Sequence, residues 1–282
     1  MASDSAPTAS SAPNPPLDRI RIVLVGTQHP GNIGSAARAM KTMGLSRLVL
    51  VAPERFPHPE AVALAAGASD VLDTAIRFET LAEAVADCRL VLGCTARSRR
   101  IALEELSPRA GAARALATAD SGADVAVVFG RERTGLENDE LQLCHAAIHI
   151  PANPDYSSLN LAAAVQVLAY ELRTGSLQAP SEPVDASIGS RQQEGRPELR
   201  SEPPATHAEL EGFFSQLADT LDAIDFHKGR TPAAAIRKFR RLFLRAGLDA
   251  REVRLLRGML ADAQRMADIA HGRLPPPRKP ED

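Results

Sequence analysis

Five short apolar runs constrain this chain more than any other feature: IRIVLVG (20–26), LVLV (48–51), RLVLG (89–93), DVAVVFG (124–130) and AAIHI (146–150). Each is continuously hydrophobic rather than alternating, which predicts strands buried on both faces. Helix-patterned stretches separate them, at about 32–45, 59–66, 80–87, 107–118 and 137–144, and another follows at 157–173. In the first of these, Asn32 is placed as the N-cap and Gly44 as the stop. Strands alternating with helices argue for a parallel sheet covered on both sides, an α/β domain over residues 19–174. Aromatic residues are only 4% of the chain and Trp is absent, so the core must be aliphatic.

The flanks read differently. Residues 1–18 are rich in Ser, Ala and Pro and are expected to form a disordered tail. Residues 175–206 lose all periodicity and read as a flexible linker with few contacts across it. Beyond the linker, 207–271 predicts three helices, a small all-α extension, followed by a short tail at 272–282. The net charge of −2 conceals a local excess: Lys228 to Arg257 holds ten Lys/Arg against two acids. Arg237, Lys238, Arg240, Arg241 and Arg245 flank an apolar stripe of Ile236, Phe239, Leu242 and Phe243. A bundle with one basic face suits a polyanion such as RNA, whereas an ordinary charged helix surface would suit only water.

Several chemistries are excluded. GTQHPGNIGS has neither GK[ST] nor GxGxxG spacing, so the first turn is no phosphate loop. His145 and His149 are four apart on a strand and lack an HExxH register, so no metal site is expected. No GxSxG elbow is present. Three cysteines, Cys88, Cys94 and Cys144, form no CxxC pair and suit a reducing compartment. No run approaches the roughly 18 apolar residues needed to span a bilayer. The N-terminus lacks the form of a signal peptide. A soluble cytoplasmic protein is the expectation.

Three segments remain, each at the carboxyl end of a predicted strand, where open α/β sheets bind ligands. They are NIGSAARAMKTMG, VFGRERTGLENDEL and IPANPDYSSLNLAAAVQVLAYE. Gly130 ends its strand with no Cβ, which would let a ligand approach the backbone. Arg131, Glu132 and Arg133 then crowd one turn, a pattern that a solvated turn would also produce. The third segment is longer than the usual strand-to-helix loop of about 2–6 residues and is dense in prolines and small hydrogen-bonding groups. Its Ser157 and Ser158 could cap the following helix, contact a ligand, or do both.

Taken in order, the three segments resemble the signature motifs of SPOUT-class RNA ribose methyltransferases of the SpoU branch. They are most similar to the TrmJ type, tRNA (cytidine/uridine-2′-O-)-methyltransferases acting at nucleotide 32 of the anticodon loop. GAS (67–69) and CTARSR (94–99) fit that type as well. The resemblance implies a parallel α/β sheet with a C-terminal trefoil knot, a homodimer formed through the knotted domain, and S-adenosylmethionine as cofactor. It also implies site residues. Cys94, Thr95, Ala96, Gly130, Ile150, Ser157, Ser158 and Leu159 would touch the cofactor. Arg38 would be catalytic, with Asn32, Glu132 and Asn160 in support. Arg97, Arg99 and Arg100 would contact RNA, together with Arg237, Arg240 and Arg241 of the basic helices, read as polar-face positions. A ribosomal-RNA methylase of the same branch, or a non-catalytic RNA-binding protein on the same fold, are the competing expectations.

Overall fold

The strand Ile20–Val25 (β1) is buried at all six residues, and it organises everything around it. In the computed structural model, residues 16–96, 103–153, 155, 158–178, 203–228 and 231–274 are described. The further strands are β2 (Arg47–Val51), β3 (Ile76–Phe78), β4 (Leu90–Cys94), β5 (Glu104–Leu106), β6 (Val125–Phe129) and β7 (Ala146–Ile148). They form one seven-stranded sheet in the order β3-β2-β1-β6-β4-β7-β5. Every pairing is parallel.

The apolar runs predict five of these strands. The other two, β3 and β5, are three-residue edge strands, half-buried or exposed throughout. An edge strand buries less side-chain surface, so neither has the continuous apolar signature that marks the interior.

Ten α-helices occur among the described residues: α1 (Pro30–Thr42), α2 (Pro59–Ala65), α3 (Ser69–Asp73), α4 (Leu81–Ala84), α5 (Pro108–Asp120), α6 (Asn138–Gln142), α7 (Leu161–Leu177), α8 (His207–Ala223), α9 (Pro232–Ala246) and α10 (Ala250–Ala270). Side chains alternate along each strand, so the sheet has two cores. Ile20, Ile22 and Leu24 face one core with Ile33, Met40, Leu168 and Leu172, beneath α1 and α7. Val23 and Val25 face the other, with Val91, Val128, Leu136 and Leu141. On the first face α1 and α2 meet closely. A Cβ added to Gly34 would lie 2.0 Å from the Ala61 carbonyl oxygen, so only glycine allows the approach.

The last three helices have a core of their own, built on Leu210, Phe213, Phe214, Leu217, Leu221, Val253 and Leu260. They do not stand clear of the sheet, although the linker composition suggests few crossing contacts. The His207 N–H donates to the Cys88 carbonyl at 2.8 Å, and the Ala208 N–H to that of Ala86 at 2.9 Å. His207 itself is buried. No helix among the described residues is long and apolar enough to cross a membrane.

At the amino ends of the strands, Arg21 lies buried under a cage of acceptors. Its guanidinium donates to both carboxylate oxygens of Asp87 at 2.9 and 2.7 Å, to Asp124 at 2.8 Å and to the Ala84 carbonyl at 3.0 Å. Arg47 donates to the same Asp124 oxygen at 2.9 Å. Burial alone would raise the Asp124 carboxyl, but the bonds and charges of Arg47 and Arg21 outweigh it and hold the group below its ordinary value. Stabilisation from this carboxylate is therefore present above its ordinary value and is lost as pH falls through the depressed one. Arg21→Ala should cost about 3 kcal/mol or more, because it strands Asp124 half-compensated in the sheet. Urea unfolding at neutral pH measures this; a loss under about 1 kcal/mol would contradict it.

Candidate active site

The GRER turn after β6 meets the β1–α1 connection through one carboxylate. Glu132 accepts from the Gln28 N–H at 3.1 Å, from the His29 N–H at 3.1 Å and from Asn32 Nδ2 at 2.9 Å. Asn32 in turn accepts, at its Oδ1, from Asn160 Nδ2 at 3.0 Å. The remaining oxygen of Asn160 accepts from the Ala162 N–H at 2.9 Å and caps α7. One chain of hydrogen bonds thus joins residues 32, 132 and 160, far apart in sequence. Enclosure pushes the Glu132 carboxyl up, but its bonds with Asn32, His29 and Gln28 prevail and lower it, so it is ionised at neutral pH.

One sequence expectation is corrected here. Asn32 is not the N-cap of α1: the helix begins at Pro30 after His29, which makes no side-chain cap bond. Glu132 instead takes the backbone N–H groups of Gln28 and His29 just before the helix and the side chain of Asn32 within it, a partner that local sequence cannot reveal. The missing Cβ at Gly130 has a cause within the chain, while the residue still lines the neighbouring cavity. An added Cβ would fall 2.1 Å from Gly135 C and 2.2 Å from Leu136 N, so the space it leaves is filled by the chain's own backbone. That tight return is sealed by Arg131 and Gly135, whose N–H groups each donate to the other's carbonyl, at 3.2 and 2.9 Å. The Arg131 side chain is spent on Glu140, at 3.0 and 3.1 Å. Arg133 stays exposed.

Beside this network lies a cavity at the carboxyl ends of β4, β6 and β7. Cys94, Thr95, Ala96, Gly130, Ile150, Ser158 and Leu159 all line it, together with Glu132. Ser157 lies outside the described residues, as do Arg97, Arg99 and Arg100. The sequence reading misses Phe129, Leu161 and Ala164, which complete the apolar wall. The spacing of Leu161 and Ala164, three apart at the start of α7, is the signal that could have found them. Apolar walls and small hydroxyls fit an adenosine-sized ligand, and Glu132 with Arg131 and Arg133 sets charges of both signs beside it.

Burial pushes the Cys94 thiol up to about 12, so it is uncharged. The His149 ring nitrogen Nδ1 lies 3.3 Å from the Thr95 carbonyl oxygen and props the cavity wall. His145 is a core histidine: it accepts from the Val91 N–H at 3.1 Å, and burial drives its pKa down to about 3. No cluster of metal-ligating side chains exists among the described residues. Arg38 is exposed on α1 and does not line the cavity of its own chain.

Of the basic-helix candidates, Arg237 and Arg241 are exposed. Arg240 is not a polar-face position. Its guanidinium is held bidentate by Glu211, with Nη2 at 2.7 Å from Oε2, and lies 4.4 Å over the Phe214 ring. That side chain anchors α9 to α8.

Comparison with known proteins agrees with this geometry. Residues 19–170 match the model of the SpoU rRNA Methylase family, and residues 208–272 match that of the tRNA methyltransferase TrmJ C-terminal domain. The chain is 48% identical over 251 residues to tRNA (cytidine/uridine/adenosine-2′-O-)-methyltransferase TrmJ of Pseudomonas aeruginosa, covering 89% of this chain and 96% of that protein. It is likewise 48% identical over 252 residues to the tRNA (cytidine/uridine-2′-O-)-methyltransferase TrmJ of Pectobacterium atrosepticum, covering 89% and 99%. The crystal structure of TrmJ from Z. mobilis superposes with a TM-score of 0.71 at 36% identity, over 86% of this chain and 97% of that one. Methylases of this kind draw on S-adenosylmethionine, which is this chain's cofactor. By family model, sequence identity and fold, the chain belongs to the SpoU methylase family, in its TrmJ branch of tRNA 2′-O-methyltransferases.

Proposed function

We propose that this chain methylates the ribose 2′-hydroxyl of cytidine or uridine at nucleotide 32 of the tRNA anticodon loop. The observation that carries the reading is the Glu132–Asn32–Asn160 hydrogen-bond chain at the rim of the cavity. It joins the three motifs into one rigid frame, and rigid frames are what alignment of an incoming nucleophile requires. S-adenosylmethionine supplies an electrophilic methyl group. Cys94, Thr95, Ala96, Gly130, Ile150, Ser158 and Leu159 are the residues that would hold it, with Ser157 beside them.

Arg38 is assigned to the substrate. A guanidinium keeps its proton at ordinary pH and is a poor base. It acts here by orienting the hydroxyl and stabilising the alkoxide that develops as the proton leaves, with an adjacent phosphate as a second anchor. Because Arg38 does not line its own chain's cavity, the reading includes a homodimer in which each Arg38 serves the partner's site. Exposed Tyr170 and Leu177 on α7 offer apolar surface for that contact, and a two-fold pair is the usual closed form. Threading of α7 through a trefoil knot, a cytoplasmic setting and a distinct RNA-docking unit over 207–271 belong to the same proposal. A ribosomal-RNA substrate is disfavoured by the match of residues 208–272 to the TrmJ C-terminal domain.

Two outcomes are expected. Arg38→Ala should abolish methyl transfer to unmodified tRNA while calorimetry finds cofactor affinity within a few-fold, and Arg38→Lys should also fail because lysine lacks the planar fork. Near-native turnover by Arg38→Ala would overturn the assignment, and mass spectrometry of nucleosides would locate the modified position. Glu132→Gln should lower unfolding free energy by about 2 kcal/mol through loss of charge-assisted acceptors, and cut turnover at least tenfold. Since the Glu132 pKa is lowered in the fold, the wild-type advantage over this variant should hold above the ordinary glutamate value of 4.5 and vanish as pH falls through the lowered one. Equal stability of the two proteins at neutral pH would sink it.

A further inference from the structure

The structure brings together two walls that the sequence separates by about a hundred residues. Asn138, Asp139 and Gln142 of α6 form one wall of a groove, and Arg237, Lys238 and Arg241 of α9 form the other. We propose that this groove holds the ribose-phosphate backbone of the tRNA, so that both units of one chain grip the same strand. The inference rests on the proposed methyl transfer to tRNA and deepens it by naming the surface.

Placement is the first argument. The α6 helix follows directly on the turn that carries Glu132 and lines the cavity, so the groove opens beside the reaction site. Rigidity is the second. Main-chain bonds from His207 and Ala208 seat α8 on the sheet, and the Arg240–Glu211 pair fixes α9 in rotation on α8. With Arg240 turned inward, Arg237 and Arg241 are left exposed one helical turn apart. Charge is the third. Four cations line the groove, of which Arg240 is paired with Glu211, against a single carboxylate, Asp139, which already accepts from Gln142 Nε2 at 3.1 Å. Cations combined with side-chain amides are the usual partners of phosphate and sugar. An acidic protein segment would also meet cations here, but it would have no reason to lie beside the cavity.

The test is binding of an unmodified tRNA transcript to the full-length chain across a salt series. Arg237→Glu and Arg241→Glu probe one wall; Asn138→Glu, with Gln142→Glu as a second probe, the other. Arg265→Glu, exposed on α10 outside the groove, is the control. Each groove variant should weaken binding at least about fivefold, and the arginine variants should also flatten the slope of log affinity against log salt by roughly 0.7–0.9 for every phosphate no longer neutralised. Cofactor affinity and melting temperature should stay at wild-type values, and Arg265→Glu should bind normally. If the arginine variants weaken binding but both α6 variants do not, RNA meets the bundle elsewhere and the groove assignment falls, while the methyl-transfer reading stands. Wild-type tRNA binding in every groove variant would also overturn it, and would favour a protein occupant. Failure of the wild-type chain to methylate any tRNA transcript would instead remove the reading beneath it.

Discussion

One carboxylate holds this site together. An α-helix leaves its first backbone N–H groups without intrahelical partners, and α1 begins with no side-chain cap of its own. Glu132 reaches across from another strand's loop to satisfy the turn before that helix and to grip Asn32 within it. Because Asn32 also binds Asn160, the start of α7 is positioned by the same group. The order of causes runs from β6, through a backbone return too tight for any residue but glycine at 130, to the placement of two helices. Were the carboxylate absent, α1 and α7 would keep their packing on the sheet and on each other, but Asn32 would lose the partner that ties it to the GRER turn.

The sheet is legible in the sequence wherever it is buried on both faces. Interior strands such as β1 and β6 show continuous apolar runs because each residue meets one core or the other. β3 and β5 escape notice because Ile76, Glu104 and Glu105 lie exposed at the edges, where pairing is carried by backbone alone. At the site, residue-by-residue resemblance finds most of the cavity lining, since strand ends and motif positions are local features. What it misses is tertiary. The carboxylate that fixes the entry to α1 arrives from a residue about a hundred positions away, and the need for glycine at 130 comes from its own loop.

Arg240 illustrates the same limit for charge. A run of arginines on an amphipathic helix looks uniformly solvated in sequence, and the apolar stripe beside it does not say which cation turns inward. The structure sends Arg240 to Glu211 and Phe214 and leaves its neighbours to water. A guanidinium between a carboxylate and a ring is a structural joint, costly to break on one side only. Its burial divides the basic helix into a part that holds and a part that meets solvent.

The uncharged thiol of Cys94 bears on selectivity between atoms. The cavity assigned to the cofactor contains, in its own wall, a sulfur atom that as thiolate would be a far better nucleophile toward a sulfonium methyl than any sugar oxygen. Burial holds that thiol protonated, up to about 12. The enzyme therefore keeps a competing acceptor at close quarters in a silent form. Enclosure at the carboxyl end of an interior strand thus disfavours methylation of the protein's own sulfur.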